Sequence, residues 1–442
     1  MLVETILSFC AGRLARRYLS FEEYREKSPP KREGKKACLL YIHVPFCEEL
    51  CPYCCFLRVK MDHALAGAYF AALKKEIEVY RDLGYCFDSV YVGGGTPTIM
   101  PEELAEVIAL VRNNWAIKQV SIETNPNHLV GEHLRMLLDA GTNRLSVGVQ
   151  SFDNRILESI ERLEKYGGGE EIKERIHSVV GMFETVNVDM IFNFPNQTEA
   201  MLVRDLEILE ETGAEQVTYY PLMVSDGVKA ELERRCGKMD YRRERLFYRL
   251  IAQRLGASYS QQSVWCFSRG QGAIDEYILE HDEYVGTGAG SWGYINGTMY
   301  SNTFSIERYV EMLGSVGHPI VAARRFSDVE RARYDFLLKL LDGALSVSDM
   351  RDKYGERYWL YLLGELAFFL SVRAVELGGG RIRLTPRGRY YWVVLMRRLF
   401  SVVGDYRRMR LSSDGTSGLQ GVFHRVSRLL PGTQSGFAPG RN

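Results

Sequence analysis

The sequence has no apolar run near the roughly 20 residues that a membrane-spanning helix needs, which excludes an integral helical membrane protein. It has no net charge, 56 Lys and Arg balancing 56 Asp and Glu, and no nucleic-acid partner is expected. The first nine residues lack a basic n-region and a small-residue cleavage site, so a cytoplasmic location is expected rather than secretion. Cysteine usage does not suit a disulfide framework, because nine is an odd number and four of them crowd into positions 47–55. That crowding points to metal chemistry in a reducing compartment. Composition is otherwise globular, 46% hydrophobic and 25% charged over 442 residues, enough for one barrel-sized domain and a smaller one.

The balanced charge is unevenly spread. Residues 1–36 hold nine Lys and Arg against five Asp and Glu, and residues 406–442 hold six Arg against Asp414 alone, so the body between them is acidic. Basic ends of this kind are either solvated tails or contacts for an anionic surface. Leu2, Ile6, Phe9, Cys10, Leu14 and Tyr18 recur at helical spacing, with Arg13, Arg16 and Arg17 beside them. Such a helix either caps the body of the protein or makes peripheral contact with the inner face of a membrane.

From residue 37 short apolar strands alternate with helical stretches. Strands are expected over 38–44, 89–93, 119–123, 144–150, 186–192 and 216–222, and helices over 64–83, 101–113, 130–139, 153–163, 199–212 and 242–255. This rhythm predicts parallel βαβ units, with a site at the C-terminal ends of the strands. After residue 325 the pattern becomes helical, over 328–341, 346–353 and 356–370, followed by a small hairpin around Gly378-Gly379-Gly380. The expected organisation is an N-terminal amphipathic helix and linker at 1–36, a barrel with its extension at 37–325, a winged-helix-like domain at 326–400 and a flexible tail at 401–442.

The strongest chemical signal is Cys47-x3-Cys51-x2-Cys54, directly after the first strand. Three thiolates on one loop can hold three corners of a cubane iron–sulfur cluster and leave the fourth iron open. Zinc is the alternative, although it would normally want a fourth ligand. Cys55 is expected beside the cluster and not on it, and His43 is expected to be a structural hydrogen-bonding residue.

The loop is the signature of the radical S-adenosylmethionine (SAM) superfamily. Tyr41-Ile-His-Val-Pro-Phe-Cys47, Gly93-Gly-Gly-Thr-Pro-Thr98, Glu123, Arg144-Leu-Ser-Val-Gly-Val-Gln-Ser-Phe152, Asp189 and Phe194-Pro-Asn-Gln-Thr198 resemble the branch of oxygen-independent coproporphyrinogen III oxidase. The resemblance implies an α/β fold: a partial (β/α)6 TIM-like barrel with a small helical, winged-helix-like C-terminal domain. It implies a 4Fe–4S cluster on Cys47, Cys51 and Cys54, and two SAM molecules. Tyr41, Gly94 and Glu123 would serve the first SAM, with Trp292 a loosely aligned addition. Tyr53, Gly95, Thr96, Gln150, Arg162 and Asp189 would serve the second. A reductant such as flavodoxin or ferredoxin is implied as electron donor.

Within that branch the sequence departs from the oxidase pattern. Phe56 stands where a further cysteine is found, and strand six ends in the bulky Tyr219-Tyr220-Pro221-Leu222-Met223 rather than an array of arginines. Asn193-Phe194-Pro195 and the ending from Thr385 look most like the class C radical SAM methyltransferases. The expected activity is therefore methylation of an sp2 carbon on a planar apolar ring, with menaquinone at C-8 the favoured substrate. A porphyrin-directed enzyme resembling the oxidase, or a heme chaperone that shares the Cys-x-Phe of Cys54-Cys55-Phe56, is the alternative.

Overall fold

The computed structural model describes residues 2–32, 34, 36–270 and 281–413. All seven residues of strand Cys38–Val44 are buried, as a parallel strand packed on both faces requires. Phe87–Gly94 lies beside it in parallel, with Leu40 opposite Val90 and Ile42 opposite Val92. Gln119–Thr124, Arg144–Gln150, Thr185–Phe192 and Gln216–Pro221 then follow in the sheet in their chain order, all parallel.

The sheet remains open. Beyond Cys38–Val44 lies a seventh parallel strand, Tyr284–Thr287, and beyond that the antiparallel strands Trp292–Ile295, Thr298–Asn302 and Ile320–Arg325. At the other edge, Cys266–Ser268 pairs antiparallel with Gln216–Pro221. The partial barrel expected from the alternation is therefore present. Its loops at the C-terminal strand ends lie together.

The helices close the sheet's outer face. In His63–Asp82, Asp62 caps the first turn by accepting from the amide of Leu65, and Ala66, Tyr69, Phe70, Leu73, Ile77 and Tyr80 form the buried stripe. Leu73 is fully buried, so truncating it to alanine would cost about 2–5 kcal/mol. The helix stops at Leu83, followed by Gly84 at φ 76°.

Four differences from the sequence reading matter. A crossover helix at Gly169–Val179 was not expected there, because the Gly167-Gly168-Gly169 run reads as a loop. Gly169 instead marks a close approach: a Cβ on it would lie 1.9 Å from the carbonyl oxygen of Phe152. The single helix expected over 153–163 is broken into Asn154–Ser159 and Leu163–Tyr166, with Glu161 left-handed at φ 58° between them. The N-terminal helix Leu2–Tyr18 does form, but it buries Leu7, Ala11, Ala15 and Tyr18, and leaves Leu2, Ile6 and Phe9 in solvent.

The fourth difference is at the other end. Helix Pro386–Ser413 runs through position 400, where a flexible tail was expected to begin. Val402 and Val403 pack with Ala15 and Leu19 of the N-terminal segment, so apolar contact holds those turns in place. Residues 414–442, with the rest of the expected tail, lie outside the described residues. Between residue 325 and this helix stand the expected helices and a three-stranded sheet ordered Ala344–Ser346, Arg381–Leu384, Val375–Gly378. Among the described residues no helix is long and apolar enough to cross a membrane.

Candidate active site

The cysteine loop is clasped at its base. Phe46–Cys47 and Val59–Lys60 form a two-stranded parallel pair, with Val59 N donating to Pro45 O at 2.7 Å and Met61 N to Cys47 O at 2.8 Å. Between them the chain turns, Cys54 N donating to Cys51 O at 3.3 Å. All nine cysteines are free thiols. Burial pushes Cys47 and Cys55 each up to about 11 and raises Cys54 as well, so metal binding must supply the drive to deprotonate them.

Two cations offset thiolate charge on this loop. Arg58 donates to the carbonyl of Cys51, and its guanidinium is held protonated by the neighbouring cysteine sulfurs despite its burial. Arg162 Nη1 lies 3.5 Å from Cys51 Sγ. Among the described residues no three His, Cys, Asp or Glu side chains converge on a single ion. Three thiols on one eight-residue loop are the donor set of a cluster in which each takes its own iron. The residues present fit the cluster that the loop implies.

The second strand ends against this loop. Gly95 N donates to Val44 O and Thr96 N to Phe46 O, both at 2.8 Å. A Cβ on Gly95 would come within 2.6 Å of Phe46 O and 2.9 Å of Cys47 Sγ, so only glycine allows the approach. Gly94 has φ 123°, and its amide donates to Glu123 Oε2 at 3.1 Å. Tyr91, which stacks on Tyr41 with ring centroids 6.2 Å apart, donates its hydroxyl to Glu123 Oε1 at 3.0 Å. Tyr41, Gly94 and Glu123 are thus brought together.

Behind them His43 is neutral, its pKa lowered to about 4 chiefly by burial. The Leu57 carbonyl, 3.0 Å from Nε2, can only accept, so that nitrogen carries the proton and Nδ1 accepts from Tyr41 at 2.9 Å. This matches the structural role expected of it.

Arg162 owes its position to the break after Ser159. Its guanidinium stacks over Tyr166 at 3.9 Å and donates to Asn125 Oδ1 at 3.1 Å and to the carbonyl of Gly148. Asn125 in turn donates to Thr96 Oγ1 at 2.8 Å, and Thr96 Oγ1 lies 3.7 Å from Cys47 Sγ. Gln150, at φ 76°, folds its amide back toward Gly148. Tyr53 is buried with Ile156, Phe194, Met201 and Leu222, its ring edge-on to Phe194 at 6.1 Å. So Tyr53, Gly95, Thr96, Gln150 and Arg162 share one wall.

Asp189 is held apart from Arg162. It accepts from Ser146 Oγ at 2.7 Å and from Asn187 Nδ2 at 2.8 Å, in a polar ladder across the sheet. Trp292 packs against the Tyr41–Tyr91 cluster and meets Phe21 and Tyr406 edge-on, each at 5.7 Å. Sequence reasoning did not single out Arg58, Tyr91, Asn125 or Arg407. For Asn125 a signal existed, since it follows Glu123 by two positions at a strand end.

Fold and loop together are those found in the radical SAM superfamily: residues 41–209 match it, and the cofactors of that superfamily are a 4Fe–4S cluster and SAM. The chain is 28% identical to the heme chaperone HemW of Bacillus subtilis over 330 residues, 71% of this chain and 86% of that protein. It is 34% identical to the oxygen-independent coproporphyrinogen III oxidase of Bradyrhizobium diazoefficiens over 174 residues, 36% of this chain and 37% of that one. In fold it is similar to the coproporphyrinogen III oxidase HemN of Escherichia coli, a radical SAM enzyme, with a TM-score of 0.71 at 20% identity, covering 86% of this chain and 95% of that one.

Proposed function

We propose that this protein is a cytoplasmic radical SAM protein that binds a tetrapyrrole, heme or a porphyrin, beside a 4Fe–4S cluster carried on Cys47, Cys51 and Cys54. The observation that carries the reading is the extent of the likeness to the heme chaperone, 86% of that protein's length. The relatives' names concern heme and coproporphyrinogen, which moves the tetrapyrrole ahead of the menaquinone favoured by the sequence.

When bound, cluster and SAM supply one-electron reductive cleavage of SAM, with an electron donor such as flavodoxin or ferredoxin. The chain's own residues bind and orient. Glu123, fixed by Tyr91 and Gly94, presents a carboxylate to ribose hydroxyls or an ammonium group. Arg162, held by Asn125, presents a cation to a carboxylate of a second SAM. The buried wall of Tyr53 and Phe194 excludes water on the side of the planar ligand.

Methyl transfer to a quinone is the second reading, favoured by Asn193-Phe194-Pro195 and by the apolar cluster that Phe194 joins. Peripheral membrane contact belongs to the proposal as well: Leu2 is 76% and Phe9 61% exposed, and Arg13 lies over the Phe9 ring at 5.8 Å. The deciding experiment incubates the anaerobically reconstituted, reduced protein with methyl-deuterated SAM and either heme or a menaquinone extract. Stoichiometric heme binding, with no labelled quinone, supports the tetrapyrrole. A quinone gaining a labelled carbon together with S-adenosylhomocysteine overturns it in favour of methyl transfer.

A further inference from the structure

Helix Pro386–Ser413 crosses the cysteine loop at close range. A Cβ on Gly404 would lie 3.0 Å from Cys55 Cβ and 3.1 Å from Ser225 Cβ. One turn on, Arg407 projects over the step from Cys55 to Phe56, its Nη1 donating to the Cys55 carbonyl at 3.4 Å. Its guanidinium carbon lies 5.1 Å from the Phe56 ring centroid and 5.8 Å from that of Trp292. The two rings therefore set the guanidinium on the mouth of the loop. Its charge reaches Tyr41, His43, Cys54 and Cys55.

Among the described residues this cation has no anion. Arg397 and Arg398 of the same helix have Glu244 at 2.9 Å and Asp226 at 3.5 Å, whereas among the described residues no carboxylate pairs with Arg407. Of its five N–H donors, one bond to a carbonyl is made, and Nε is buried without a partner. The indole Nε1 of Trp292, beside it, is buried without a partner too. A partly buried guanidinium with no counter-charge and an idle indole donor are both costly to hold, unless a ligand completes them.

We propose that Arg407, with Trp292, is a binding site for a carboxylate of the ligand held over the cysteine loop. The planar guanidinium fork matches a carboxylate in two parallel hydrogen bonds, and the indole can add a third. Two sources carry that group: a tetrapyrrole propionate, which rests on the function proposed above, and the methionine carboxylate of SAM.

The test titrates the full-length, cluster-loaded protein and its Arg407→Gln and Arg407→Lys variants. Each is titrated with heme, heme dimethyl ester, SAM and decarboxylated SAM, with iron content and circular dichroism as controls for folding. Loss of about tenfold or more in affinity for heme by R407Q, with the diester unaffected and R407K intermediate, assigns the site to a propionate. The same pattern for SAM against decarboxylated SAM assigns it to the cofactor. Wild-type protein that binds no heme, with the SAM pattern present, removes the tetrapyrrole and keeps the site. If R407Q binds both acids as wild type does, or loses the acid and its carboxylate-free analogue alike, the carboxylate site is overturned.

Discussion

The side-chain oxygen of Asn125 accepts a hydrogen bond from Arg162 Nη2 at 3.1 Å. Arginine has no acceptor, so this bond fixes which end of the amide is oxygen, and the nitrogen is left to donate to Thr96 at 2.8 Å. Two loops from different strand ends are thereby tied beside Cys47 and Cys51. Asn125→Ala should leave Arg162 short of a partner and cost about 1–3 kcal/mol of stability. SAM affinity should fall while bound iron stays constant, measured by equilibrium dialysis and iron analysis on one preparation.

Cys47→Ala, Cys51→Ala and Cys54→Ala should each lose the cluster's broad visible absorption and all SAM cleavage after anaerobic reconstitution. Cys55→Ala should keep the iron, since that residue stands outside the Cys-x3-Cys-x2-Cys spacing and its Cβ packs against Gly404. Iron retained in any of the first three variants at the wild-type level would remove that cysteine from the ligand set.

Gly95→Ala should act on the cluster through sterics alone. The added methyl meets Phe46 O at 2.6 Å and Cys47 Sγ at 2.9 Å, so the strand end must retreat from the loop. A cost of about 1–3 kcal/mol is expected from the overpacking, together with reduced iron per chain, whereas Gly131→Ala, where a Cβ meets nothing within 4 Å, should retain full iron.

His43 gives a pH dependence with a definite sign. Its folded pKa, about 4, lies below the ordinary histidine value of 6.5, so the unfolded chain takes up a proton first as pH falls. The stabilisation is complete above 6.5 and is lost progressively toward 4, amounting to about 2 kcal/mol between pH 7 and 5. Buried Glu76 and Asp205, each raised to about 7 by desolvation, run the opposite way, destabilising as pH rises. The contribution of His43 is therefore read as the wild type minus His43→Phe difference in denaturation free energy, which should shrink by that amount over the interval. A difference independent of pH would mean that the ring titrates alike in both states.

Lipid contact is checked by sedimentation with vesicles containing anionic phospholipid. Phe9→Ser and Arg13→Ser should each lower the bound fraction, and added salt should lower it further. Equal sedimentation of wild type and both variants would dismiss the N-terminal helix as a membrane contact.

The strand order and the cysteine loop were readable from the chain because each is local: apolar runs set the strands, and the ligand spacing is contained in eight residues. Gly94, Gly95 and Glu123 were readable for the same reason, sitting at strand ends. What escaped depends on tertiary placement. Arg162 is named through the family resemblance only, because taken alone it reads as a solvated helix residue, and it is the left-handed Glu161 that turns it inward. The apolar face of Leu2–Tyr18 was assigned to the wrong side, because the partner it packs on, Val402 and Val403, lay in a segment too rich in arginine to read as packed. Arg407 belonged to that same segment.

The contact between Cys55 and Arg407 joins residues 352 positions apart. At about 5–20 residues per second of synthesis, the loop emerges roughly 20–70 s before the helix that covers it. Delivery of iron and sulfide to the nascent chain has that interval of open access. Once the helix has docked, Gly404 lies against Cys55, so iron and sulfide reach the folded chain by a narrower opening than they reach the nascent one.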